Sequence, residues 1–265
     1  MFEGYRMIQL FHGDCLELMK NISTKSVDMI LCDLPYGTTA CKWDVVIPFD
    51  PLWEQYKRII KDNGAIVLFG SEPFSSRLRM SNIKMFKYDW VWEKTKASGF
   101  LNARHAPLRA HEIISVFSNC KTTYHPQFIT GGKPYKKLNV TDGATTVYGK
   151  IDKTGIVKES KDGRRYPRSV MKFSNGNYKS LHPTQKPVPL LEYLIRTYTN
   201  EGDIVLDNCM GSGSTGVACV NLNRNFIGME LNEEYFQIAK ERIQKAQAEP
   251  KQISLFDYQN VNELE

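Results

Sequence analysis

Long apolar runs are missing from the 265-residue sequence. No segment approaches the roughly 18 to 20 consecutive apolar residues that a membrane-spanning helix needs. The first residues also lack the basic region and apolar stretch of a signal peptide, so we expect a cytoplasmic protein that binds no membrane. There is no internal repeat and no low-complexity tract. A content of 42% hydrophobic and 24% charged residues is typical of a globular chain with a sizeable core.

Paired cysteines are missing as well. The six cysteines are scattered, and they include neither a Cys-x-x-Cys pair nor a histidine-rich neighbourhood. This spacing argues against a zinc site and against a framework of disulfides. We therefore expect reduced thiols, several of them buried, and no bound metal.

The chain carries only a small net charge, +6. Its distribution is uneven. Residues 121–179 contain 13 Lys and Arg against four Asp and Glu, a net charge of +9, and the rest of the chain carries −3. A solvated basic loop is the usual meaning of such a segment. A polyanionic partner becomes the better interpretation if the chemistry elsewhere requires one.

Short apolar runs alternate with amphipathic helices along most of the chain. This pattern predicts an α/β fold with a doubly wound, mostly parallel, Rossmann-like sheet covered by helices on both faces. One helix is predicted in FDPLWEQYKRIIKDNG, with Asp50 as the N-cap, Pro51 at the first position and Gly64 closing it. A later helix is predicted from Gly213 to Asn223. Strands are predicted in SVDMILCD, AIVLFG, YDWVWEK, EIISVFS, DIVLDNC and FIGMEL.

The alternation stops between residues 119 and 180, where Gly, Lys, Thr, Tyr and Asn dominate. This stretch is too long for an ordinary loop and predicts an inserted subdomain. We therefore expect a discontinuous α/β domain formed by residues 1–118 and 181–248. The basic insert occupies 119–180, and residues 249–265 form a flexible C-terminal tail.

A glycine-rich loop, Gly211-x-Gly213-x-x-Gly216, stands between a predicted strand and a predicted helix. Glycines let the backbone approach a ligand closely, and the amides of a helix N-terminus favour a negative group. Glu230 ends the next strand, where its carboxylate can accept from ribose hydroxyls. A nicotinamide dehydrogenase and an S-adenosylmethionine enzyme both satisfy this pattern. A glycine turn without a ligand is the third interpretation.

The buried strand at Val27 ends in Asp33-Leu34-Pro35-Tyr36. A carboxylate and a neighbouring carbonyl can together accept both N–H groups of a nucleobase amine, which exposes its lone pair and stabilises the growing positive charge. Proline fixes the local backbone, and tyrosine supplies a flat face for a base taken out of the duplex. A lone Asp-x-Pro sequence is more often a simple turn.

Three segments together resemble the amino-methylating DNA methyltransferases: DLPY, LDNCMGSGSTG and HPTQKPVPLLEYLI. Their order is the permuted one, in which the catalytic motif precedes the cofactor motif. The resemblance covers the α/β body and leaves out the insert. The chain departs from the family at Leu34, where proline is usual, and at Asn208-Cys209, where Pro-Phe is frequent. The first change leaves the carbonyl of Leu34 available, and the second puts only details of the cofactor pocket in doubt.

The resemblance implies methyl transfer from S-adenosyl-L-methionine to N6 of adenine in DNA, with N4 of cytosine as the alternative. Residues 1–118 and 181–248 would then be the catalytic and cofactor-binding domain. Asp33, Leu34, Pro35 and Tyr36 are the implied catalytic residues. Asp14 would accept from the adenine of the cofactor, and Lys186 would pair with its methionine carboxylate. The implied cofactor site consists of Asp14, Cys15, Asp33, His182, Thr184, Gln185, Lys186, Asp207, Gly211, Ser212, Gly213, Ser214 and Glu230.

A double-stranded DNA substrate gives the basic insert a role in target recognition. Its basic side chains are suited to phosphates, and its arginines also to guanine edges. The candidate DNA-binding residues are Lys133, Lys136, Lys137, Arg164, Arg165, Arg168 and Lys172.

The tail contains Gln252-Ile253-Ser254-Leu255-Phe256, which resembles the short peptide that docks many bacterial DNA-acting proteins on the replication sliding clamp. Gln252, Leu255 and Phe256 would make the contacts. Packing of Leu255 and Phe256 on the protein's own surface is the alternative. The sequence leaves a monomer and a homodimer equally open.

Overall fold

The computed structural model describes residues 7–38, 44–139, 156–175 and 185–249, with backbone only for 137–139 and 156–158. The chain divides into two compact units. The second unit is Pro126–Arg168, and the first contains the remainder of the chain. The helices and strands of the described residues follow in chain order: β1 Ile8–His12, α1 Cys15–Met19, β2 Val27–Cys32, α2 Phe49–Ile59, β3 Ile60–Gly70, α3 Phe74–Ser81, β4 Phe86–Ser98, β5 Arg109–Phe117, β6 Tyr135–Asn139, β7 Ile156–Ser160, β8 Val170–Phe173, α4 Val188–Tyr198, β9 Ile204–Asp207, α5 Ser214–Asn221, β10 Asn225–Glu230 and α6 Glu233–Ala248.

The first unit is built on one eight-stranded sheet with the order β1-β10-β9-β2-β3-β5-β4-β8. All neighbouring pairs are parallel except those that β5 makes with β3 and β4. Seven strands therefore point the same way and β5 alone runs against them. The predicted α/β class with a mostly parallel sheet is confirmed.

Helices cover both faces of this sheet. Side chains of α4, α5 and α6 pack on one face, and those of α1, α2 and α3 pack on the other. The two-residue period of β2 shows the division, because Met29 and Leu31 belong to the first core and Ile30 and Cys32 to the second. A strand buried on both faces has to be apolar, and β2 is apolar from Met29 to Cys32, where all its residues are buried. Asp28 near its start is only partly buried and pairs with Lys61.

The helix α2 differs from its prediction. It begins at Phe49 after Pro48 and has no side-chain cap, and the chain enters β3 directly at Ile60. The predicted N-cap at Asp50, the predicted first position at Pro51 and the predicted stop at Gly64 are therefore wrong, and Pro51 is the third residue of the helix. Gly64 lies inside β3, where a Cβ would meet the carbonyl oxygen of Asp28 at 2.8 Å. The absence of a side chain at Gly64 allows β2 and β3 to pack closely. In the sequence, a glycine with this role cannot be distinguished from one that ends a helix.

The insert also differs from its prediction at both boundaries. β8 falls inside the predicted insert 119–180, yet it pairs with β4 at the edge of the main sheet. The compact second unit, Pro126–Arg168, is shorter than the prediction. It contains the antiparallel pair β6–β7 and a bridge between Ile129 and Arg165. Within the described ranges, no helix is both long and apolar enough to cross a membrane.

Candidate active site

The strands β2 and β9 are hydrogen-bonded neighbours at the centre of the sheet. From β9 the chain passes through α5 to β10 on one side, and from β2 it passes through α2 to β3 on the other. The strand order therefore reverses between them, and the loops after the two strands part to leave a crevice. A cavity of about 650 Å³ lies there, lined by both loops. Its volume is typical of a small-molecule site.

The loop after β9 carries the glycine motif. Gly211 and Gly213 have φ angles of 50° and 79°, in the left-handed region that favours glycine. A Cβ on Gly213 would lie 2.9 Å from the Cβ of Ala239, so α6 packs directly against the loop. The helix α5 begins at Ser214, one residue after the predicted start. The glycines thus serve both the turn and the close approach of α6.

Ser212 at the top of this loop is fixed from two sides. Its hydroxyl accepts from the Arg242 guanidinium at 2.8 Å, and Arg242 also donates to the Ser212 carbonyl. The Ser212 hydroxyl donates to Oε1 of Gln185 at 3.3 Å. Gln185 precedes α4, so this contact ties the glycine loop to the segment that contains the predicted cofactor residues 182–186. His182 and Thr184 lie outside the described residues.

Asp207 ends β9 and is buried. One carboxylate oxygen accepts from the Thr215 hydroxyl at 2.6 Å, and the other accepts from the Cys209 amide at 3.1 Å. Burial raises the pKa of Asp207 to about 6, and these hydrogen bonds act in the opposite direction. Asp207 therefore fixes the conformation of the glycine loop through these two hydrogen bonds, and it also lines the cavity.

Glu230 ends β10 on the other side of the loop. Its two oxygens accept from the amides of Gly211 and Asn232, each at 2.9 Å. Burial raises the pKa of Glu230 above its ordinary value. Each carboxylate oxygen has a second lone pair, so Glu230 can still accept from a ligand hydroxyl. The residue lines the cavity, as a ribose-binding role requires.

Asp33 follows β2 and lies at the centre of a cluster of charges. One oxygen accepts from the Tyr36 hydroxyl at 2.5 Å, and the other accepts from the Lys186 ammonium. The same ammonium lies 3.3 Å from Glu112, which also pairs with Lys94 at 2.9 Å. Two carboxylates and two ammonium groups thus balance in a partly buried site. This arrangement reduces the cost of burying each charge.

The pKa values in the cluster follow from burial and pairing. Burial raises the pKa of Asp33, and the positive charge of Lys186 acts against that shift. Burial also opposes the charge of Lys186, but Asp33 and Glu112 outweigh it and raise the pKa of Lys186. For Glu112 the two lysines outweigh burial and lower the pKa. Lys186 therefore remains an ammonium that depends on both carboxylates.

The rest of the tetrapeptide shapes the wall of the cavity. The Leu34 side chain is buried in the core, so its main chain is the part suited to face the cavity that it lines. Pro35 and Tyr36 line the same cavity. The Tyr36 ring stacks on Phe74 with centroids 4.9 Å apart, which fixes one face of the tyrosine. A tyrosine held at both its hydroxyl and one face is a rigid platform.

Asp14 and Cys15 line the cavity from the start of α1. One oxygen of Asp14 accepts from the Leu16 amide at 2.8 Å and caps the helix. Cys15 is buried, and its sulfur lies 3.5 Å from the side-chain nitrogen of Asn208. A hydrogen bond with Cys209 and burial raise the pKa of Cys15, so the thiol stays protonated. The predicted residues 14, 15, 33–36, 185, 186, 207, 211, 212, 214 and 230 all line one cavity. Gly213 was also predicted for the cofactor site, but it is the N-cap of α5 and does not line this cavity.

Three further charged residues line the cavity although the sequence reasoning gave them no role: Glu112, Lys94 and Asp44. A signal existed for Glu112, because an acidic residue next to a buried apolar run also marks Asp33. Lys94 lies within β4, two residues after the buried Trp92. Asp44 accepts from the amides of Gly37 and Thr38 at 2.8 and 2.9 Å. Nothing in the sequence distinguishes that loop contact from an ordinary turn.

The basic residues of the second unit are exposed to different degrees. Lys133, Lys136 and Arg168 are exposed. Arg165 lies over the Tyr135 ring at 4.4 Å and donates to the Lys133 carbonyl at 2.6 Å, so it is held inside its unit. Arg164 pairs with Asp162 at 2.5 Å. The Lys137 side chain lies outside the described part, and Lys172 belongs to β8, where it pairs with Glu93 at 3.3 Å.

Comparison with known proteins assigns this geometry to a family. Residues 27–241 match the family model of N6 and N4 methyltransferases, which is described as DNA methylase. The chain is 30% identical to the type II methyltransferase M.HpaI of Haemophilus parainfluenzae, over 89% of this chain and 74% of that protein. It is 29% identical to the DNA adenine methyltransferase YhdJ of Escherichia coli (strain K12), over 89% and 83% of the two chains.

A solved structure agrees. The M1.HpyAVI–SAM complex superposes with a TM-score of 0.59 and 29% identity, covering 89% of this chain and 99% of the other. The nicotinamide interpretation of the glycine loop is thereby replaced by S-adenosyl-L-methionine. Since the family model spans most of the sequence, the chain belongs to the amino-methylating DNA methyltransferases, which use S-adenosyl-L-methionine to methylate base amines in DNA.

Proposed function

We propose that the protein methylates N6 of adenine in double-stranded DNA after the base has been extruded from the helix. The observation that carries the proposal is the position of Asp33 on the wall of the cavity that the glycine loop also lines. A carboxylate there can accept one amino hydrogen of adenine, and the Leu34 carbonyl can accept the other. The likeness to an enzyme named a DNA adenine methyltransferase supports adenine over cytosine.

Methyl transfer to a base amine requires that the amino group be oriented, and it does not require a strong base. The lone pair of an aromatic amine is delocalised into the ring, and acceptors on both N–H groups draw the nitrogen toward a tetrahedral shape. The same acceptors stabilise positive charge on that nitrogen. S-adenosyl-L-methionine supplies the electrophilic methyl group. The surplus proton leaves the nitrogen afterwards, so Asp33 works as an ionised acceptor throughout.

The donor set around the glycine loop fits this cofactor. We propose that Glu230 binds the ribose hydroxyls with its remaining lone pairs, and that Asp14 and Cys15 lie near the adenine. Lys186 is already bound to two carboxylates, so we assign it mainly to holding Asp33 ionised and in place. We assign Gln185, Ser212 and Ser214 to the methionine end of the cofactor. His182 and Thr184 remain candidates from the sequence.

Replacement of Asp33 tests the catalytic role. Asp33→Asn keeps the shape and one acceptor but removes the charge, so we expect methylation to fall by about 10³-fold or more. Affinity for S-adenosylhomocysteine should stay within about fivefold, a change of about 1 kcal/mol. The product of the unchanged enzyme should be N6-methyldeoxyadenosine, measured by mass spectrometry of digested DNA. Asp62→Asn, on an exposed aspartate, is the control. N4-methyldeoxycytidine as the product, or an active Asp33→Asn enzyme, would contradict the proposal.

Replacement of Glu112 tests the electrostatic role of the cluster. The negative charge of Glu112 raises the pKa of Asp33. Glu112→Gln removes that charge and leaves Lys186 to Asp33 alone, so the pKa of Asp33 should fall. Activity is lost as the pH drops through this pKa, and the acid limb of the kcat/KM profile should therefore move to lower pH. Glu93→Gln, on the adjacent and more exposed strand position, should leave the limb unchanged. An unmoved limb in Glu112→Gln would refute the coupling.

The basic insert is the proposed DNA-reading region. We propose that residues 119–180, including the compact unit Pro126–Arg168, contact the duplex through exposed basic side chains. Replacing three of them by glutamine should flatten the dependence of log K on log salt by about 0.9 per lost phosphate contact. The variant carries Lys133→Gln, Lys136→Gln and Arg168→Gln. A control of equal charge loss carries Lys57→Gln, Lys84→Gln and Lys87→Gln. An equal slope for both variants would exclude the insert.

The tail is a proposed link to replication. We propose that Gln252, Leu255 and Phe256 bind the bacterial sliding clamp, which would bring the enzyme to new DNA in the cytoplasm. These residues lie outside the described part of the chain, and the support is the sequence QISLF. Purified clamp should retain the full-length protein and release a variant with Leu255→Ala and Phe256→Ala. Equal retention of both proteins would dismiss the link.

A further inference from the structure

An arm projects from the main sheet between β4 and β5. Every residue from 95 to 111 is exposed. At its tip the side chains of Phe100 and Leu101 are 77% and 84% exposed, and Leu101 is the most exposed of the large hydrophobic residues in the described ranges. Adjacent exposed apolar side chains at a projecting tip cost solvation free energy and indicate a binding surface.

The tip has a defined backbone. Gly99 turns the chain with a φ of 88°, and residues Phe100–Asn102 form one turn of 3₁₀ helix. The amides of His105 and Ala106 both donate to the Asn102 carbonyl at 2.9 Å. The two strands are paired up to Ser98 and Arg109 at the base of the tip. The apolar side chains are therefore presented by a preformed turn.

The arm starts at the rim of the proposed active site. Lys94, Ser98 and Glu112 line the cavity that contains Asp33. Leu101 follows Ser98 by three residues, so its Cα lies within about 11 Å of that of Ser98. β3 and β4 are each antiparallel to β5, so β4 runs in the same direction as β3. β3 is parallel to β2, and β4 therefore runs in the same direction as β2 as well. The tip thus follows the carboxyl end of β4, on the same side of the sheet as the catalytic loop at the carboxyl end of β2.

The charge of the arm identifies its partner. Residues 95–111 contain Lys96, Arg104 and Arg109 and no aspartate or glutamate. An apolar tip flanked only by basic side chains suits a polyanion that has an apolar interior. Duplex DNA has this character, with phosphates outside and stacked bases inside. A second copy of the chain is a weaker match, because the arm's basic side chains would face one another across a twofold contact.

We propose that Phe100 and Leu101 enter the base stack of the substrate beside the extruded nucleotide, while Lys96, Arg104 and Arg109 contact the flanking phosphates. Apolar wedges between base steps offset the loss of stacking when a duplex is distorted. The arm would therefore hold the opened duplex and lower the free energy of base extrusion. The inference rests on the proposed methylation of an extruded base, and it holds whichever base amine accepts the methyl group.

Two duplexes separate this role from a merely structural one. Both carry the protein's target sequence, mapped beforehand from DNA that the enzyme has methylated. One duplex is fully paired, and the other has an abasic site opposite the target base, so that extrusion is already easy. The variant is Phe100→Ala with Leu101→Ala. The control is Met80→Ala with Ile83→Ala, two side chains that are 70% and 54% exposed and that precede the start of β4, whereas the arm follows its end.

On the paired duplex we expect kcat/KM of the arm variant to fall about 10- to 100-fold, since the wedge no longer offsets the unstacking of a base step. On the abasic duplex the loss should shrink to about threefold or less. The control should match the unchanged enzyme on both. An arm variant that keeps its rate on the paired duplex, or loses the same factor on both, overturns the proposal. A change in sedimentation instead of base extrusion would also overturn it, by making the arm a self-association surface.

These outcomes differ from a failure of the proposed function. If the unchanged enzyme transfers no methyl group to any duplex, the methylation proposal fails, and the arm's role in base extrusion is overturned with it. If the enzyme methylates cytosine, only the choice of base fails. The ratio of rates on the two duplexes still decides whether the arm opens the helix.

Discussion

The ammonium of Lys186 lies between the carboxylates of Asp33 and Glu112, and much of the site follows from this contact. Burying one carboxylate at a strand end is costly unless an opposite charge accompanies it. Lys186 supplies that charge from the segment before α4, and Lys94 supplies a second one to Glu112 from β4. The catalytic loop, the predicted cofactor segment and two later strands are therefore joined by a single balanced set of charges. The cavity between them keeps its polar wall because each charge has a partner.

The sheet supplies the other constraint. Strands β2 and β9 are distant in the sequence but adjacent in the sheet, and their carboxyl ends open at the point where the strand order reverses. The glycine loop needs close packing of α6, and the loop at Asp33 needs the rigid support of Phe74 under Tyr36. The order of motifs along the chain is unimportant to the chemistry, because the sheet brings both loops to one cavity.

Sequence reasoning captured the parts that local pattern controls. The strand ending at Asp33, the glycine loop after β9 and Glu230 at the end of β10 follow from apolar runs that end in polar residues, and the structure brings all three to one cavity. The pairing of Lys186 with Asp33 could not be predicted, because it depends on a tertiary contact across 153 positions of sequence. The stop of α2 at Ile59 was missed since Gly64 has a packing role in a strand. The exposure of Phe100 and Leu101 also required the structure, because apolar residues beside a strand otherwise predict core.

The central claim is that the strand end at Asp33 aims a base amine at the activated methyl group, and a crystal structure with bound S-adenosyl-L-methionine tests it most directly. The account predicts that the sulfonium methyl carbon faces the carboxylate of Asp33 and the carbonyl of Leu34, with the ribose at Glu230. A methyl group that points away from this corner of the cavity would contradict it.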